Sequence, residues 1–186
     1  MMKKLVCLMM VALIATVASA ASVSLVVDAA DARLDGKYDA GSTITINLVG
    51  EGFMAPAQGF GQLVIASIGG AGVASAPALD AALLFNFPSA GTLVNDGATL
   101  ISSINGAVNM GDMAGVANGV AAFSFELTLC DVPGMYDVTA NGVAVNSNFG
   151  APVAIGDVAA LSLEVIPEPI TIALLGLGGL FIRRRK

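Results

Sequence analysis

Four aspartates, Asp28, Asp31, Asp35 and Asp39, crowd one short segment near the start of the chain. Carboxylates at this density, helped by loop carbonyls, provide the hard oxygen ligands that calcium takes. Their spacing is not that of an EF-hand, and the same residues also suit a plainly solvated acidic loop. Calcium is the one cofactor for which ligands are present. Other chemistry lacks its parts. The chain has no histidine and no tryptophan, and its body offers only Arg33 and Lys37 as basic side chains, so a serine or cysteine nucleophile has little to activate it. There is no zinc-type Cys/His cluster and no Walker loop, and Gly69-Gly70-Ala71-Gly72 lacks the helix and acidic residue of a dinucleotide site, which leaves a turn. Paired carboxylates could hydrolyse glycosides, but Tyr38, Tyr136 and a few phenylalanines are thin material for a sugar platform. The expectation is a protein that is not an enzyme.

The two ends carry a different kind of signal. Lys3 and Lys4 precede an apolar run from Leu5 to Val17, followed by Ala18-Ser19-Ala20, a small-x-small site of the signal-peptidase kind. This predicts a signal helix over residues 1–20, with cleavage directed by Ala18 and Ala20. At the other end, Pro167-Glu168-Pro169 is followed by an apolar run, Ile170 to Ile182, and by Arg183-Arg184-Arg185-Lys186. As a helix the run reaches about 20 Å, short of the roughly 30 Å hydrocarbon core, so it is expected to be a marginal transmembrane span. Its basic cluster favours the cytoplasmic side, as do Lys3 and Lys4, so residues 21–166 should be carried across the membrane as one exported domain.

That body is strongly acidic. Thirteen carboxylates against two basic side chains leave it near −11, although the whole chain carries only −6, because the other six basic residues lie at the two ends. Such a surface repels phosphate backbones and excludes nucleic acid as a partner. Once residues 1–20 are removed, only Cys130 remains, so no internal disulfide can form; it reads as a small buried thiol or an intermolecular bridge.

Period-two alternation marks the elements that must hold these residues. It runs over Val23 to Val27, Thr43 to Leu48, Ala121 to Leu129 and Leu161 to Val165. Ile44, Ile46 and Leu48 share one face, as do Phe123, Phe125, Leu127 and Leu129. Further strands are expected at Gln62 to Ile68, Ala81 to Phe87, Thr99 to Ile104, Met135 to Ala140 and Val143 to Val145. Turns are expected at Asp35-Gly36, Asp96-Gly97, Asn105-Gly106, Asn118-Gly119, Pro133-Gly134 and Asn141-Gly142. Residues Asn105 to Gly119 read as a long glycine-rich loop. The fold class expected is all-β: an antiparallel β-sandwich with little helix outside the two terminal segments.

Pro167-Glu168-Pro169, the short glycine-containing apolar run and the terminal arginine cluster together resemble the PEP-CTERM sorting signal, over residues 165–186. The same tail is also known as an ice-binding-protein C-terminal motif, but the threonines here form no repeating ladder in the sequence. The resemblance implies export across the inner membrane of a Gram-negative-type bacterium and recognition of Pro167, Glu168 and Pro169 by an exosortase. It further implies delivery from the inner membrane to the cell surface or extracellular matrix, in company with exopolysaccharide, biofilm or floc. Ala40-Gly41-Ser42-Thr43-Ile44-Thr45-Ile46, with Phe123-Ser124-Phe125-Glu126-Leu127 and the later Pro133-Gly134, is similar to cohesin-like and related carbohydrate-binding jelly-roll sandwiches of bacterial surface proteins. That similarity concerns the fold and assigns no dockerin partner. The function expected is structural or adhesive; the alternative is a sandwich binding a polysaccharide or a protein partner on a permanent membrane anchor.

Overall fold

The computed structural model describes residues 22–51, 59–107, 115–145, 153–155 and 160–168. Within them the chain forms twelve strands and a single 3-10 turn, Ala81–Leu83. The expected signal helix and transmembrane helix lie outside the described residues, among which no helix is long and apolar enough to cross a membrane.

Two sheets face each other. The smaller has the order β1-β3-β9-β5, from Ser22–Val27, Thr43–Glu51, Ala121–Leu129 and Gly72–Leu79. The larger has the order β2-β12-β10-β4-β8-β6, from Lys37–Asp39, Leu161–Ile166, Gly134–Val145, Gly59–Ile68, Thr99–Ala107 and Phe85–Ser89. Two short strands complete it: β7, Thr92–Leu93, on β8, and β11, Val153–Ile155, on β10. All pairings between strands are antiparallel except β2 with β12, which run parallel.

The alternation read from the sequence is the alternation of burial. Ile44, Ile46 and Leu48 of β3 and Phe123, Phe125, Leu127 and Leu129 of β9 point inward. Leu63, Ile65, Leu100, Ile104, Val138, Leu163 and Val165 of the larger sheet join them in one cluster. Side chains of both inner faces interdigitate this way in sandwiches, and the apolar area removed from water drives the pairing. Sheet edges are blunted by irregularity. Pro77 and Pro88 lie in β5 and β6, each at the rim of its sheet, where a missing N–H interrupts no ladder. A register shift between Ser75 and Ala78 brackets Ala76, whose φ of 46° is unusual for a residue with a side chain.

Several expectations are corrected. Ala81 to Phe87 is not a strand throughout: Asp80 accepts a 2.9 Å bond from Ala82 N and caps the 3-10 turn, and β6 begins only at Phe85. Asn105-Gly106 and Asn141-Gly142 are not turns. The first lies inside β8 and the second inside β10, where a register shift between Asn141 and Val143 marks a bulge. Val143 to Val145 therefore continues β10. Of the expected loop from Asn105 to Gly119, residues 105–107 belong to β8 and Val116 is buried in the core, while 108–114 lie outside the described residues. Cys130 is half-buried rather than a core thiol.

The turns at Asp35-Gly36, Asp96-Gly97 and Asn118-Gly119 are formed. In the second, Asp96 Oδ1 accepts bonds from Ala98 N at 2.9 Å and Thr99 N at 2.6 Å, and these donors hold its carboxyl below the ordinary carboxylate value. A carboxyl whose folded pKa is depressed contributes stability that is fully present above its unfolded value and lost as pH falls through the folded one. Asp96→Asn should therefore melt below the wild type at neutral pH, with the two curves converging as pH drops below the usual carboxylate range. Thermal melts across pH 2 to 7 would check this, and a constant gap would rule it out.

Candidate functional site

The four aspartates do not converge. Asp28 accepts from Ala30 N through Oδ1 and from Asn47 Nδ2 through Oδ2, both at 2.9 Å, and these bonds lower its pKa, the Ala30 amide most. Asp31 Oδ2 accepts a 2.7 Å bond from Thr45 N. Asp35 Oδ1 accepts from Lys37 N at 3.2 Å, and Asp39 pairs with Arg33 at 3.4 Å. The carboxylates thus staple the β1–β2 loop to itself and to β3. A recess of about 340 Å³ is lined by Asp31 and Asp39 but also by Arg33, which pairs with Asp39. Among the described residues no group of three or more His, Cys, Asp or Glu is placed to hold a metal ion.

Two of the three residues expected to form the sorting motif, Pro167 and Glu168, lie among the described residues. Val165 is buried and pairs with Gly134 on one side and Tyr38 on the other. Ile166 pairs with Asp39, and its carbonyl accepts a 2.9 Å bond from Ala40 N. Lys37 Nζ donates a 2.8 Å bond to Glu164 across the same seam; that contact raises the lysine pKa, first through the hydrogen bond and then through the carboxylate charge. Both partners are well exposed, so the pair orients the strands more than it stabilises them. Pro167 and Glu168 then emerge, exposed, into a recess of about 320 Å³ shared with Ala40, Asp131 and Pro133. Pro169, residues 170–182, Arg183, Arg184, Arg185 and Lys186 lie outside the described residues, as do Ala18 and Ala20.

The outer faces of the two sheets differ. On the smaller, Thr43, Thr45 and Asn47 of β3 lie beside Thr128, Glu126 and Ser124 of β9. Thr43 and Thr128 hydroxyls meet at 2.9 Å, and Ser75 donates to Glu126 at 3.3 Å, so the middle of this face is polar and bonded to itself, with Val26 and Val73 exposed on its outer strands. On the larger, Ile68 of β4 pairs with Asp137 of β10, and Met135 lies one inward–outward repeat further along β10. Ile68 is 59% and Met135 66% exposed, and each has an acidic cross-strand partner, Asp137 and Glu164 respectively. Tyr38 is buried and Tyr136 donates its hydroxyl to Val132 O at 2.8 Å, so neither tyrosine stands out as a sugar platform. An aromatic strip at Phe53 and Phe60 concerns side chains outside the described residues.

This fold, two sheets with a parallel closing pair, is a cohesin-like sandwich. It is similar to a chain of the Coh-OlpA–Doc918 structure, a type I cohesin–dockerin complex from Clostridium thermocellum, with a TM-score of 0.54 at 11% identity over 78% of this chain and 99% of that one. It is also similar to a chain in the structure of the sixth cohesin of scaffoldin B from Acetivibrio cellulolyticus with a Cel5 dockerin, with a TM-score of 0.53 at 9% identity over the same shares. At such identities the likeness is one of fold. Residues 165–186 match the PEP-CTERM protein-sorting motif. No curated protein matches the chain by sequence. The motif therefore begins inside the last core strand, at Val165, and not in a separate linker.

Proposed function

We propose that the chain is exported and held first at the inner membrane by residues 170–182, with Arg183 to Lys186 on the cytoplasmic side. An exosortase-type enzyme then sorts it at Pro167, Glu168 and Pro169 to the cell surface or extracellular matrix. There its body serves as a non-enzymatic, structural or adhesive sandwich in exopolysaccharide or biofilm. The observation that carries this reading is the sorting motif continuous with the closing strand of the β-sandwich. The acidity of the body and its two basic side chains, Arg33 and Lys37, support it, since they give a serine or cysteine nucleophile little to activate it.

A second reading is favoured by the exposed apolar side chains Ile68 and Met135 on the outer face of the larger sheet. Exposed apolar side chains on one sheet face suit a protein partner, and the similar chains occur in cohesin–dockerin complexes. On this reading the sandwich is a binding module, taking a protein or polysaccharide, and the anchor is permanent.

Mass measurement separates the two fates of the tail. The full chain, expressed in a host with an intact sorting enzyme, should yield a mature product ending near Pro167, whereas a host lacking the enzyme should retain Arg183 to Lys186. Retention in both hosts would sink the cleaved-signal reading and leave a membrane-anchored ectodomain.

A further inference from the structure

The chain leaves the sandwich with almost no slack. Ile166 is fixed to Asp39 and Ala40, and the apolar run begins at Ile170. Pro167, Glu168 and Pro169 are all that separates them, a tether of about 14 Å at full extension. Whatever grasps the motif at the membrane surface must therefore also meet the end of the sandwich from which it emerges.

That end is preformed. It consists of the β2–β3 turn, Ala40-Gly41-Ser42, and the β9–β10 loop over residues 130–133. Leu129 N donates to Ser42 O at 2.9 Å, Cys130 N to Ala71 O at 3.0 Å, and the Tyr136 hydroxyl to Val132 O at 2.8 Å. Gly41 has a φ of 72°, and a Cβ there would lie 3.2 Å from Asp131 Oδ1 and 3.8 Å from Glu168 Oε1. The turn is thus shaped around the loop and the motif together. Val132, between Asp131 and Pro133, leaves its side chain 64% exposed.

We propose that this end of the sandwich, centred on Asp131, Val132 and Pro133, is a docking surface for the membrane-bound enzyme that reads the sorting motif, so that the folded body forms part of its substrate. The proposal rests on the sorting reading above. Charge selects a protein over lipid as the occupant: Asp131 and Glu168 face outward here, and anionic headgroups would repel them, whereas a basic protein surface would complement them. Val132 adds exposed apolar surface beside these charges, which docking of a protein would remove from water.

The test follows the rate of tail removal by pulse-chase and mass in a host with the enzyme. It compares the full chain with Val132→Lys, with Asp131→Lys plus Val132→Lys, and with each body carrying about ten Gly/Ser residues inserted between Ile166 and Pro167. The double substitution should slow processing about tenfold, and Val132→Lys alone, at an exposed position, should slow it with an unchanged melting temperature. Across the inserted linker all bodies should be processed at one rate. Equal rates without the linker would overturn the proposal, as would a defect that persists with it, or rates that track the host's anionic lipid content. Glu168→Ala processed like the wild type, or a wild type never processed, would instead bring down the sorting reading beneath it.

Discussion

Gly72→Ala should cost about 3 kcal/mol or more and lower the melting temperature by about 10 °C. Gly72 opens β5 opposite Leu129, and an added Cβ would come 2.0 Å from Thr128 O, 2.9 Å from its carbonyl carbon and 3.0 Å from Leu129 Cα. All three are backbone atoms of β9, the strand that carries Phe123 and Phe125, so relief requires one strand to move off the other. Overpacking in a filled interior is relieved only by such shifts. Gly97→Ala is the matched comparison. Gly97 also has a positive φ, 90°, but an added Cβ there meets nothing within 4 Å, so only the conformational strain of about 1–2 kcal/mol remains. Denaturant unfolding of the two variants would isolate the clash; equal losses would show that Gly72 is held for its backbone conformation alone.

Phe125→Ala should be the most damaging single truncation, at about 3–5 kcal/mol, a large share of the stability of an ordinary domain. Phe125 is 1% exposed, its ring centroid lies 6.0 Å from that of Phe123, and its strand is paired on both sides, by β3 and β5. Neighbours locked in two ladders cannot collapse into the space left behind. Ser124→Ala, one residue away on the opposite face, should change stability by no more than about 0.5 kcal/mol. Unfolding curves with a common denaturant slope would check both. A loss at Phe125 below about 1 kcal/mol would mean that the two sheets close over the cavity.

The contrast between these positions explains what could be read from the sequence. Strands with alternating branched and aromatic residues, such as β3 and β9, are legible because one face must be dry and the period is two. β5 escaped notice. Its sequence, GVASAPAL, has little strand propensity and a proline, and only pairing with β9 makes it a strand. β2, three residues around the buried Tyr38, is too short to show a period. Asn-Gly pairs misled twice for a different reason. A Cβ on Gly106 would lie 3.1 Å from Leu83 Cβ, and one on Gly142 2.9 Å from Leu63 Cα, so these glycines admit close neighbours and do not reverse the chain.

The sites divide in the same way. The sorting motif was legible because it is linear and is read as a string of residues. The aspartates of the β1–β2 loop looked like ligands because spacing along the chain says nothing about where backbone donors will lie, and Thr45 N and Ala30 N claim two of them. The recess at Asp131 and Glu168 joins residues far apart in sequence and had no local signature.

The position of β12 has a mechanical consequence. This strand lies between β2 and β10 and leads directly into the tail, so any drag on the body reaches it along the strand axis. Its hydrogen bonds run across that axis, and a pull along it loads both ladders in shear, with many bonds sharing the force and having to fail together. A tail leaving from a hairpin end would instead be peeled, one bond at a time. On the proposed tethering, traction on the tail would meet the stronger of these two geometries, with a lifetime under force set by the rate at which β12 slides free.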